Sequence, residues 1–179
     1  MLAPPVSDAT TAGMAQDPIL VLTTGGTIDK QYFDALSEYQ ISDSVIERLL
    51  ATARVHHAFE VVELLRKDSL ELSDDDRSAI RERVAAAPNA RVVITHGTDT
   101  MTDTARVLAT IPGKTIVLVG ALAPARFAES DATFNLGMAF GCVQVAAPGV
   151  YITMNGTVFP ALDVVKDRAR GAFVARSAD

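Results

Sequence analysis

The chain has 179 residues, 49% hydrophobic and 21% charged, which suits one core of ordinary size and leaves a second complete domain cramped. A formal net charge of -6 argues against nucleic acid, whose capture relies on neutralising phosphates. A single cysteine, Cys142, excludes an internal disulfide and a multi-thiol metal site, and apolar runs of strand length only are too short to cross a membrane.

Residues 1–17 are rich in Ala, Pro, Ser and Thr without any period and read as a disordered leader, with Met14 a second possible start; residues 18–179 read as one domain. No basic stretch followed by an apolar one marks secretion, so a cytoplasmic address is expected. Ile19 to Leu22 predict the first strand, ended by Gly25-Gly26, a pair suited to positive φ or close backbone approach. Ile28 to Gln40 carry no clean period and predict a loop without structure of its own, a length typical of lids. Ser44 to Glu47 look like a capping box opening a helix with Ile46, Leu49, Leu50 and Ala53 on one face. His56-His57 precede the strand Phe59 to Leu65 and make a poor metal pair, so surface histidines are expected.

A second capping box, Ser73 to Asp76, predicts the next helix, and its acidic cluster Asp74-Asp75-Asp76 belongs to the first turn rather than to a metal. The central strand, Arg91 to Thr95, leads into a helix with Met101, Ala105 and Leu108 inward. A fourth strand, Thr115 to Val119, is followed by a helix from Asp131 to Val145 rich in small residues, then by the strand Val150 to Met154. Asn155-Gly156 signals a hairpin to Thr157-Val158-Phe159, and the tail beyond has no clear period. Strands alternating with helices predict an α/β chain: a doubly wound parallel sheet in a three-layer α/β/α sandwich, in one domain.

In that architecture ligands bind outside the carboxyl ends of the strands. The turns found there are Thr23 to Thr27, Asp68-Ser69 and Thr95 to Thr100, all bearing hydroxyls or carboxylates. Threonine is a weak nucleophile until a base takes its proton and donors hold the developing oxyanion. Asp99 supplies a carboxylate beside Thr98, and a lysine kept neutral by burial could accept the proton. Lys166 is the candidate, although spacing alone does not separate it from Lys114 or Lys67. Plain helix capping, with Thr100 and Asp103 as a box-like pair, accounts for Thr98-Asp99-Thr100 equally well. Thr24 to Thr27 lack dinucleotide or P-loop spacing, and His96 reads as a structural hydrogen-bonder.

Ile19-Leu20-Val21-Leu22-Thr23-Thr24-Gly25-Gly26-Thr27-Ile28 and Thr95-His96-Gly97-Thr98-Asp99-Thr100-Met101 resemble the two threonine motifs of the bacterial-type L-asparaginase family. The resemblance continues in order through Asp68 to Leu72, Val119 to Leu122, Met154 to Val158 and Asp163 to Lys166. It implies hydrolysis of the side-chain amide of L-asparagine, with a possible minor action on glutamine, and no cofactor or metal. Carried over by position, it implies that Thr27 is the nucleophile, helped by Tyr39 with Tyr32 as second choice. Thr98 is then the other catalytic threonine, activated with Lys166 and Asp99. Ser69 would hold the substrate α-carboxylate, Asp99 its α-ammonium, and the backbone at Gly26 and Ala121 would line the amide pocket.

The family usually carries a second, C-terminal domain that brings an acidic substrate contact to a neighbouring subunit, whereas this chain ends at Asp179, and Leu70 stands where a polar contact is often found. Weaker substrate binding is therefore expected unless assembly, as a homodimer or homotetramer, replaces the missing wall. Two other readings remain: an amidase half that delivers ammonia within a larger assembly, and a non-catalytic module binding an amino acid or nucleotide.

Overall fold

The computed structural model describes residues 17–34 and 37–176; apart from Asp17, the expected leader lies outside the described residues. Its first half comprises β1 (Ile19–Gly25), β2 (Lys30–Phe33), β3 (Glu38–Ile41), α1 (Ile46–Thr52), β4 (Phe59–Lys67), α2 (Asp74–Ala86) and β5 (Arg91–Thr95). The second half comprises α3 (Met101–Leu108), β6 (Thr115–Val119), α4 (Ala132–Val145), β7 (Gly149–Met154), β8 (Thr157–Pro160), β9 (Val164–Asp167) and β10 (Ala172–Ala175).

Strands β1 and β6 are buried at every position, as strands covered on both faces must be. Alternate residues feed two cores. Leu20, Leu22, Val92, Ile94, Ile116 and Leu118 join Ile80, Val84 and Met101 of α2 and α3. Ile19, Val21, Val93, Val117 and Val119 join Ile46, Leu50, Leu136 and Phe140 of α1 and α4. Helices thus cover both faces, in the three layers that the alternation predicts.

The sheet runs β4-β1-β5-β6-β7-β8, parallel throughout except for β8, which turns back on β7. From β1 the chain moves outward to β4 and then crosses to β5 on the other side of β1. That reversal opens a crevice at the carboxyl ends of β1 and β5, and those ends carry the two threonine turns. Thr23 lies level with Thr95 in the parallel register, so both turns leave the sheet at one height. The Asn155-Gly156 hairpin forms as expected, with φ of 52° and 74° at its two turn residues.

Three sequence expectations are corrected. Ile28 to Gln40 is not a structureless loop: a 3-10 turn at Thr27–Asp29 leads into the antiparallel pair β2 and β3, with Tyr32 opposite Tyr39. Neither strand has a fully buried position, so no apolar face imprints an alternating pattern on the sequence. The tail likewise forms an antiparallel pair, β9 and β10, in which Val164 and Phe173 turn into the core. Finally, Ser44 does not box the start of α1. Val45 is its N-cap without a side-chain bond, and the Ser44 hydroxyl instead donates to Asp29 Oδ1 at 3.0 Å.

Asp29 is the buried post on which the segment after the first threonine turn hangs. Its carboxylate accepts the Val45 N–H at 3.0 Å, and its carbonyl accepts the Ser42 N–H at 3.0 Å. Burial pushes its carboxyl above the usual range, against the lowering effect of the Val45 and Ser44 hydrogen bonds. The second capping box is present as expected, with Ser73 and Asp76 bonded reciprocally. Among the described residues, no helix is long and apolar enough to cross a membrane.

Candidate active site

The two threonine turns are clasped backbone to backbone. The Thr24 hydroxyl donates to the Thr95 carbonyl at 2.8 Å, and both lie deep in the fold. Gly26 has φ of 87° and packs so closely that an added Cβ would fall 2.5 Å from Gly97 N. Thr27 follows the first glycine and Thr98 the second, so both residues leave this one contact. The N–H of Gly26 is committed to the Lys67 carbonyl at 3.1 Å and its carbonyl to the Asp29 N–H at 3.2 Å, so the residue supplies space rather than free polar groups.

Lys166, on β9, reaches across to the second turn. Its Nζ donates to Thr98 Oγ1 at 2.7 Å and to Asp99 Oδ1 at 2.9 Å, with most of the side chain buried. The two lysines that spacing left open are occupied elsewhere. Lys67 binds both oxygens of Asp76, and Lys114 donates to the Ala87 and Asn89 carbonyls at the far end of the sheet. The short strand that brings Lys166 into place left no periodic trace in the sequence.

Ser69 sits in a 3-10 turn that starts from Asp68, whose carboxylate accepts the Leu70 N–H at 3.1 Å. Its carbonyl accepts the Thr100 hydroxyl at 2.7 Å, which takes Thr100 away from helix capping. Its own Oγ is fully buried without a partner among the described residues, and Gly97 passes so near that a Cβ there would lie 2.5 Å from it. A hydroxyl held in that state is costly unless something accepts or donates to it. Asp68 is further held by Lys30 at 2.7 Å. Burial raises its carboxyl, but hydrogen bonds from Lys30 and the Leu70 N–H outweigh that and leave it below the usual range. Leu70, by contrast, is 66% exposed.

The remaining walls come from two loops. Thr27, Lys30, Tyr39, Pro124 and Phe127 line a hollow of about 280 Å³. Tyr39 thus shares this hollow with Thr27, whereas Tyr32 does not line it and meets the Tyr39 ring at a tilt of 58°, with centroids 5.2 Å apart. Ala121 is buried next to Gly120, where a Cβ would lie 3.1 Å from Thr98 Cγ2. The sequence reading missed Phe127, an exposed aromatic residue in an alanine-rich turn that follows no period.

His96 lies under this floor, entirely buried. Its Nδ1–H donates to the Gly97 carbonyl at 2.7 Å, so Nε2 is free to accept from the Thr104 hydroxyl at 2.8 Å. Burial is the main cause that brings its pKa down to about 4. It therefore buttresses the turn as a neutral ring and offers no base to the cleft, as the sequence suggested.

A group with a depressed folded-state pKa gives stability that is complete above its unfolded value, near 6.5, and that drains away as pH falls toward 4. The effect is expected to reach about 3 kcal/mol. Urea midpoints measured between pH 7.5 and 4.5 should fall steeply in the wild type and much less in His96→Gln. Equal slopes would remove His96 from this account.

Comparison with known proteins gives one family and a consistent group of relatives. The family described as "Asparaginase, N-terminal" matches residues 18–177. A probable periplasmic L-asparaginase of Haemophilus influenzae is 34% identical over 167 residues, covering 83% of this chain and 46% of that protein. The thermostable L-asparaginase of Thermococcus kodakarensis superposes with a TM-score of 0.78 at 29% identity, covering 88% of this chain and 51% of its own. A probable cytoplasmic L-asparaginase of Campylobacter jejuni gives a TM-score of 0.75 at 31% identity, covering 89% and 52%. The chain thus spans about half the length of the relatives it matches.

Proposed function

Because the chain belongs to the asparaginase family, in the part its N-terminal model describes, we propose that its crevice hydrolyses the side-chain amide of L-asparagine to L-aspartate and ammonia. The observation that carries this reading is Lys166 Nζ bound at once to Thr98 Oγ1 and Asp99 Oδ1, beside the glycine contact from which Thr27 also leaves. An amide is cleaved when a nucleophile adds to its carbon and the nitrogen departs protonated. Thr27 Oγ is the proposed nucleophile. The Thr27 ester forms as the C–N bond breaks and ammonia leaves, and water then cleaves the ester to aspartate and free Thr27.

Thr98, which accepts a hydrogen bond from Lys166, is the proposed relay for the proton that Thr27 or the water gives up. Tyr39, which lines the same hollow as Thr27, is the proposed helper of that nucleophile. The orphaned Ser69 hydroxyl is the proposed donor to the substrate α-carboxylate, and Asp99 the acceptor for its α-ammonium. Gly26 and Ala121 frame the amide end with backbone alone. No step requires a cofactor.

The decisive experiment is ammonia release by the purified protein from L-asparagine, with L-glutamine and simple esters alongside. Release from asparagine above the glutamine rate supports the reading, and no release from any of them overturns it. Ser69→Ala is expected to raise KM about tenfold with kcat nearly unchanged, since the lost donor meets the same carboxylate before and during reaction. A fall in kcat at constant KM would contradict that role. A homo-oligomer and a cytoplasmic address belong to the same proposal; gel filtration and cell fractionation test them.

A further inference from the structure

Among the described residues, the pair β2 and β3 bonds to no other strand, and a two-stranded ribbon has little stability of its own. The place of Tyr39 in the hollow it shares with Thr27 must therefore be set from outside the ribbon. The only aromatic partner it has beyond the hairpin, among the described residues, is Phe127, edge to face at 5.9 Å between centroids. Phe127 is 45% exposed, and its ring belongs to neither core. The covered side of the ring is buried in part against Tyr39 rather than against either core.

The turn that carries Phe127 is stiff. Asp131 accepts the N–H groups of Leu122 and Ala123 at 3.0 Å, the Phe127 N–H donates to the Pro124 carbonyl at 3.0 Å, and the Ser130 hydroxyl donates to the Ala123 carbonyl at 3.0 Å. The same turn also grips the base of the ribbon. Ala125 N–H donates to the Ile28 carbonyl at 3.1 Å, and Arg126 donates to Ser42 Oγ at 2.8 Å and to the Asp43 carbonyl at 3.1 Å. Base and middle of β3 are thus referred to one rigid piece between β6 and α4.

We propose that Phe127 is a positioning residue for Tyr39, an aromatic edge fixed on the β6–α4 turn that holds the phenol in the hollow lined by Thr27. The proposal rests on the asparaginase reading only for what that phenol does; the positioning itself is a property of the structure. An aromatic contact of this kind biases the ring's placement by roughly three- to tenfold.

The test uses the full chain. Phe127→Ala is expected to lower kcat on asparagine about tenfold with KM changed less than twofold, at unchanged circular dichroism. Phe127→Trp should restore kcat to within about twofold. In Tyr39→Ala, adding Phe127→Ala should cost nothing more, because the residue it positions is gone. Wild-type kcat in Phe127→Ala, or losses that multiply in the double variant, would overturn the proposal.

A second readout needs no turnover. The chain contains no tryptophan, so the indole of Phe127→Trp reports alone. Tyr39→Ala in that background should shift its emission to the red, and an unmoved spectrum overturns the positioning. If the wild type releases no ammonia, the functional reading fails, and the emission result still decides the role of Phe127.

Discussion

Lys166→Met and Thr27→Ala are each expected to cut ammonia release from asparagine by about 10³-fold, and the double variant is expected to be no worse than either. Methionine keeps the length and much of the volume of lysine and removes the ammonium, so the change isolates the group that bonds Thr98 and Asp99. The fold should survive, because Arg168 lies 3.9 Å from Asp99 and stays available as a counter-charge. Two residues working on one proton path give a non-additive loss, since breaking the path once leaves nothing for the second change to remove. Steady-state ammonia assays with matched circular dichroism check it. A double variant a further 10³-fold slower would mean that the two side chains serve separate steps.

How much of this site the sequence disclosed depends on what each part rests upon. Arg91 to Thr95 and Thr115 to Val119 are legible because strands buried on both faces leave near-continuous runs of apolar and β-branched residues, and their bounds fall where the sequence put them. The convergence of the threonine turns follows from strand order, which alternating elements constrain strongly. Lys166 is a different case: geometry singles it out because β9 crosses to the second turn, and β9 has one fully buried residue in four. The hairpin holding Tyr39 escaped for the same reason, since a ribbon exposed on both faces has no side to mark. Ser44 shows the opposite failure. The capping pattern was present, but the hydroxyl donates to a buried Asp29, fifteen residues away, and accepts only a long 3.4 Å bond from the Ile46 N–H, so no reciprocal box with Glu47 forms.

Gly26→Ala is expected to cost about 4 kcal/mol or more and to abolish activity, whereas Gly113→Ala should cost about 1 kcal/mol. Both glycines have positive φ, 87° and 74°. At Gly113 an added methyl meets nothing within 4 Å, so the penalty is that of the backbone conformation alone. At Gly26, with ψ of -174°, the conformation is one that side chains almost never adopt. The methyl would also stand 2.5 Å from Gly97 N and 2.6 Å from Gly97 Cα, and neither backbone atom can swing aside as a side-chain tip can. Relief requires the ends of β1 and β5 to part, which stretches the Thr24–Thr95 bond and moves Thr27 away from Thr98 and Lys166. Stability and chemistry therefore fail together at this position, because the spacing of the two threonines is set by the absence of a single carbon atom. Urea titration of both variants measures the difference. Equal midpoints would show that the turns are held apart by something other than this glycine contact.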